Sequence, residues 1–127
     1  MDGLHRLRQH EILSWKPAGE RLFHQGCQPD GVWLLHSGKV DLLFSNSRGD
    51  VKTLNVVEAP HSLCISDVLG DEASECSAVT HTPCVLGFID KAEFLDMLRD
   101  PNSRMVVLQA QSDELTVCYD CMRMIAS

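Results

Sequence analysis

Cys118 and Cys121 form a C-x-x-C. On a helix their sulfurs lie one turn apart, the spacing of a redox pair or of half a metal site. A closed zinc or iron–sulfur site needs further ligands, and the sequence holds no second C-x-x-C. The pair therefore reads as small residues packing on a helix. His24, His36, His61 and His81 stand in or beside strand-like runs, where a lone imidazole is more often hydrogen-bonded than ligating. Asp67, Asp71, Glu72 and Glu75 gather around one loop and read as a solvated acidic face, a cation site being the alternative. Ser62 and Ser66 lie near His61, the types of a nucleophile and its base, but no third group orients them. The sequence has no G-x-S-x-G, P-loop, H-E-x-x-H or G-x-G-x-x-G. No catalytic set emerges, and an enzyme is not expected.

The bulk composition narrows the partners. The 127 residues suit one domain with one core, and 44% are hydrophobic. The 11 basic residues are scattered among 18 acidic ones, a net charge of −7. Nucleic-acid binders neutralise phosphates with clustered Lys and Arg, so this chain alone should not bind DNA. No apolar run approaches the roughly 20 residues of a membrane span. Met1-Asp2-Gly3-Leu4-His5-Arg6 lacks the apolar run of a signal peptide. A cytoplasmic location is expected, where the six cysteines would stay reduced.

The elements fall into three stretches. Residues 1–18 are polar and mixed, with a weak helical flavour in Leu4, Leu7 and Ile12. Residues 19–90 read as short strands: Arg21–His24, Val32–His36, Lys39–Ser45, Val51–Val57, Ser62–Ile65, Ser77–Thr80 and Cys84–Ile89. Gly26, Pro29-Asp30-Gly31, Ser37-Gly38, Arg48-Gly49-Asp50, Pro60 and Gly70 punctuate them. Many short strands at this spacing predict a sandwich, barrel or jelly roll. Residues 91–127 are helical. Asp90 and Glu93 form a capping box before Phe94, Leu95 and Leu98, expected inward. Asp100-Pro101 then opens a long helix. Leu108, Leu115 and Met122 repeat every seventh residue, with Gln111, Cys118 and Ile125 as the companion row. Two such rows predict a homodimer seam; packing wholly on its own domain is the alternative.

With these elements in place, a resemblance can be stated. Gly19-Glu20-x-Leu22-Phe23-x-x-Gly26, then Pro29-Asp30-Gly31-Val32-Trp33-Leu34-Leu35, then Ser37-Gly38-Lys39-Val40 resemble the opening of a cyclic-nucleotide-binding domain. Arg48-Gly49-Asp50, Glu58-Ala59-Pro60, Ser77-Ala78 and Asp90-x-x-Glu93-Phe94-x-x-x-Leu98 continue the likeness. Leu63-Cys64-Ile65-Ser66-Asp67-Val68-Leu69 is more similar to bacterial Crp/Fnr-type transcription regulators than to channel or kinase domains. The resemblance implies a double-stranded β-helix (jelly roll), mainly β with flanking helices, and a long C-terminal dimerisation helix. In such regulators a helix-turn-helix follows and reads DNA. Nothing after the long helix here could form one, so DNA contact is expected only through a domain absent from this chain.

The same resemblance implies where nucleotide selectivity resides, and the residues there differ. Nucleotide-binding members carry Gly-Glu after their proline and Arg-Ser-Ala or Arg-Thr-Ala downstream. The backbone turn and the arginine fork hold the cyclic phosphate, and the glutamate holds the ribose. Aligning Pro60 puts Ile65-Ser66 at Gly-Glu; aligning Ser77-Ala78 puts Cys76 at the arginine, behind Glu75. Independent of alignment, no Arg or Lys lies between Lys52 and Lys91. A buried phosphate would have no counter-charge, which costs several kcal/mol. Cyclic nucleotide is therefore not expected to bind. Some members hold haem or an N-terminal iron–sulfur cluster; no cysteine precedes Cys27, and neither cofactor is expected.

The sequence thus predicts an effector-sensing and dimerisation domain with a degenerate nucleotide pocket. The expected pocket residues are Leu63, Cys64, Ile65, Ser66, Cys76, Ser77 and Ala78, its occupant an unknown small effector. The alternative is a β-roll interaction module filled by its own side chains, with no small-molecule ligand.

Overall fold

Turn residues at regular intervals cut residues 11–90 into eight strands, which pair into two antiparallel sheets. The computed structural model describes residues 10–126, with side chains placed up to Thr116. The first sheet has the order β1 (Ile12–Lys16), β8 (Cys84–Asp90), β3 (Gly31–Ser37), β6 (His61–Leu63). The second has the order β2 (Arg21–Phe23), β7 (Ser77–Thr80), β4 (Lys39–Ser45), β5 (Val51–Glu58). Every neighbour comes from elsewhere in the chain except the β4–β5 hairpin. This is the jelly-roll arrangement that the resemblance implied, one of the three architectures open to short, punctuated strands.

The β3 sequence explains the layering. Successive side chains of a strand point to opposite faces. Leu35 faces the second sheet and packs with Val40, Leu42, Val57, Ala78 and Leu86; Trp33 lies against the same cluster. Val32 and Leu34 face the other way, toward the helices, with Ile65, Val68, Ile89, Phe94, Val107 and Ala110. A strand covered on both sides must be apolar throughout, as Val32-Trp33-Leu34-Leu35 is. At the β3–β4 turn Gly38 has φ of +99°, in the region that favours glycine. A methyl group there would also meet the Pro83 carbonyl.

Three helices close the outer face: α1 (Ile65–Leu69), α2 (Lys91–Met97) and α3 (Pro101–Ala126). The Asp90 carboxylate accepts the Glu93 amide at 2.9 Å and caps α2, one half of the expected capping box; the Glu93 carboxylate meets His10 at 2.6 Å instead. Asp100 accepts both the amide and the hydroxyl of Ser103 in the first turn of α3. The inward row of α3 is Ser103, Val107, Ala110 and Glu114, at helical spacing. Its small residues let the helix lie close to α1 and β6.

Three local expectations need correction. Ile12, read as weakly helical, begins β1, where Ile12 pairs with Phe88 and Trp15 with Val85. A short segment at a sheet edge gains more from ladder bonds than from a weak helical period. The run Ser62–Ile65 ends as a strand at Leu63, and Ile65 opens α1. In α2 it is Met97, with Phe94, that turns inward, while Leu95 is exposed.

Candidate functional site

A cavity of about 440 Å³ opens between the second sheet, β6, α1 and α3. Phe23, Leu42, Phe44, Leu54 and Leu63 give it an apolar wall. The strands set this wall by alternation: Leu42 and Phe44 fall on one face of β4, as their spacing predicts. Gln25, Ser62, Cys64, Ser66, Asp67, Ser74, Glu75, Cys76 and Glu114 supply polar groups, and Gly26, His61 and Leu115 complete the lining. No Arg or Lys is among the residues lining the cavity.

The turn after β6 organises the polar end. Cys64 has φ of +74°, which side chains with a Cβ adopt at a cost of order 1 kcal/mol. That turn directs the amides of Ile65 and Ser66 toward α3. Glu114 meets them: its carboxylate accepts the Ser62 hydroxyl at 2.6 Å, the Ile65 amide at 3.2 Å and the Ser66 amide at 3.3 Å. The long helix is thereby tied to the cavity floor through one side chain.

Burial sets the protonation of these groups. It pushes the Glu114 carboxyl up to about 7, although the three donors hold it down. Burial, then the charges of Glu75 and Glu72, raise Asp67 to about 6. His61 is lowered by burial, opposed by Asp113, and is neutral at pH 7. Burial and then Asp67 and Glu114 push the Cys64 thiol far up, so it stays protonated and is no nucleophile. The Ser66 hydroxyl is buried and makes no hydrogen bond, while the buried Ser74 hydroxyl meets the Cys64 thiol. What the arrangement offers is a binding cavity with an apolar wall and an acidic end.

Of the seven residues expected in the pocket, Leu63, Cys64, Ser66 and Cys76 line this cavity. Ile65 instead packs from α1 into the core, and Ala78 between the sheets. The Ser77 hydroxyl accepts the Gln25 amide at 2.9 Å and lies in a separate groove with Arg21 and His24. On α3, Leu108 is 58% and Leu115 41% exposed, and Gln111 is half-buried. The side chains of Cys118, Cys121, Met122 and Ile125 lie outside the described residues.

Three of the four singled-out histidines have hydrogen-bonding partners. His36 meets Glu11 at 2.8 Å, His81 meets Asp41 at 3.0 Å, and His24 meets the Gln25 carbonyl at 2.8 Å. The acidic loop divides: Asp71 pairs with Lys91 at 3.0 Å, while Asp67 turns to the cavity. Among the described residues no three His, Cys, Asp or Glu side chains are grouped to hold a metal ion. Nor, among them, is any helix long and apolar enough to cross a membrane. Sequence reasoning missed Glu114, whose partner Ser62 lies 52 positions earlier.

Comparison with known proteins bears on this geometry. A family described as the cyclic nucleotide-binding domain matches residues 14–100. No curated protein matches the sequence significantly. Among solved structures, the c-di-GMP-responsive global regulator CLP of Xanthomonas campestris is similar over 98% of this chain and 62% of its own, at 15% identity and a TM-score of 0.83. The catabolite activator protein of Thermus thermophilus is similar over 98% of this chain and 59% of its own, at 18% identity and a TM-score of 0.78. A transcriptional regulator of Thermotoga maritima is similar over 96% of both chains, at 18% identity and a TM-score of 0.79. The chain thus spans about three fifths of the length of the first two.

Proposed function

We propose that this chain, which belongs to the cyclic nucleotide-binding domain family, is the effector-sensing and dimerisation domain of a Crp/Fnr-type transcription regulator whose pocket no longer selects cyclic nucleotides. The observation that carries this reading is the Glu114 carboxylate, seated on the amides of Ile65 and Ser66 in a cavity without Arg or Lys. A cyclic phosphate brought to these amides meets a carboxylate already there, and Asp67 beside it. Repulsion and an unpaired buried charge replace the paired bonds an arginine provides.

An open cavity of about 440 Å³ favours the sensor over a module filled by its own side chains. A molecule entering it touches α3 directly at Glu114 and Leu115. Occupancy can therefore bias how α3 sits, and through it a two-state dimer. In this reading the role is binding rather than catalysis, in the cytoplasm, and DNA contact belongs to a helix-turn-helix outside this domain.

The seam rests on Leu108, Gln111, Leu115, Cys118, Met122 and Ile125. Leu108 is its cleanest probe, being exposed and outside the cavity lining. Leu108→Glu is expected to convert a dimer to a monomer in sedimentation equilibrium without lowering the melting temperature of the monomer. An unchanged mass would overturn the seam. On the ligand side, millimolar cyclic AMP or cyclic GMP should leave the melting temperature of the wild-type protein unmoved. A rise of several degrees would contradict the pocket reading.

A further inference from the structure

Charge and shape in the cavity point to one class of occupant. The wall of Phe23, Leu42, Phe44, Leu54 and Leu63 suits an apolar, ring-sized body. The polar end carries Asp67 from α1, Glu75 from the loop before β7 and Glu114 from α3, and His61 from β6 also lines the cavity. His61 is held neutral by burial and brings no positive charge at pH 7. A second feature is independent of the carboxylates. The Ser66 hydroxyl is buried in the cavity lining and makes no hydrogen bond; Ser74, 3% exposed in the same lining, has the weakly bonding Cys64 thiol as its partner. A buried hydroxyl without a partner is costly and awaits a polar group.

We infer that the cavity takes an organic cation: a molecule with an apolar body whose protonated amine is held by the carboxylates of Glu114 and Asp67, within reach of the Ser66 and Ser74 hydroxyls. The inference deepens the sensor reading and rests on it. Carboxylates crowded in a desolvated cavity repel one another, and an ammonium relieves that repulsion while donating charge-assisted hydrogen bonds. An anionic ligand of the same shape adds to the repulsion. A neutral one gains the apolar contacts alone.

Binding must then depend on pH. Glu114 is raised to about 7 and Asp67 to about 6. At pH 8 both are ionised and hold the amine; at pH 5.5 both are largely protonated and hold it weakly. Cys64 stays protonated throughout this range.

The test compares three molecules of one shape, phenethylamine, 2-phenylethanol and phenylacetate, by NMR titration of the whole chain. At pH 8 the amine should bind roughly tenfold more tightly than the alcohol, and the acid should bind least. At pH 5.5 the preference should fall to roughly threefold or less. Glu114→Gln and Asp67→Asn should each reduce it at pH 8, with circular dichroism confirming the fold of both variants. Equal binding of amine and alcohol at pH 8 overturns the cation but leaves the sensor reading standing. Preference for the acid, or displacement of the amine by cyclic AMP, overturns both. No perturbation of cavity resonances by the amine at tens of millimolar also overturns the inference, leaving the nucleotide reading to its own titration.

Discussion

Glu114→Ala is expected to lower the melting temperature by roughly 10 °C at pH 5.5, the loss of about 2–3 kcal/mol. The substitution removes the acceptor of the Ser62 hydroxyl and of the Ile65 and Ser66 amides, and Ser62 is 1% exposed. Glu114→Gln keeps the shape and separates hydrogen bonding from charge. Because the folded protein raises this carboxyl from 4.5 to about 7, it holds the proton more tightly than the unfolded chain does. Stability therefore falls as pH rises from about 4.5 to about 7, by about 3 kcal/mol, and is level above that. Asp67 acts in the same direction between its ordinary 3.8 and about 6, more weakly because it is partly solvated. His61, lowered by burial, acts oppositely: protonating it costs stability as pH falls below 6.5. Urea unfolding across pH 4.5–8 should show the decline in the wild-type protein and a much flatter curve in Glu114→Gln. Identical slopes would remove Glu114 from the account.

Phe94→Ala should cost about 4 kcal/mol, a typical penalty for truncating a buried aromatic ring. Phe94 is fully buried where β3, α1, α2 and α3 meet, in one cluster with Val32, Leu34, Ile65, Val107 and Ala110. The cavity it leaves lies under the inward row of α3, so the helix loosens where it carries Glu114. Phe94→Leu keeps most of the volume and should cost about 1 kcal/mol. Urea titration measures both as shifts in midpoint at constant slope. A loss below about 1 kcal/mol for alanine would show that α3 does not depend on this contact.

The strand part of the fold was legible in the sequence because turns announce themselves. Gly26, Gly38 and Gly49, each at positive φ, lie at the turns the sequence marked. Val32–Leu35 reads as a strand because both its faces are covered. The N-cap at Asp90 marks α2 by the same local logic. α1 was not legible: five residues are too few to show a helical period, and Ile65 with Val68 inward looks as much like a buried strand end. The site was half legible. Cys64 and Ser66 follow from their place after Pro60, whereas Ile65 is turned into the core when the chain reverses at Cys64. Ser77 was expected in the cavity, but strand register sends it to the Gln25 amide. Glu114 could not be found from local pattern, since its role exists only once α3 lies across β6 and α1. The heptad rows did point at α3, but to its outer side, where Leu108 is exposed.

Calorimetric titration of cyclic AMP, then cyclic GMP, into the wild-type protein at pH 7.5 decides whether the cavity rejects cyclic nucleotides. No binding heat is expected with millimolar nucleotide, because the carboxylates of Glu114 and Asp67, in a cavity lined by no Arg or Lys, would repel a phosphate. A clear isotherm with a micromolar dissociation constant, worth about 8 kcal/mol, would contradict it.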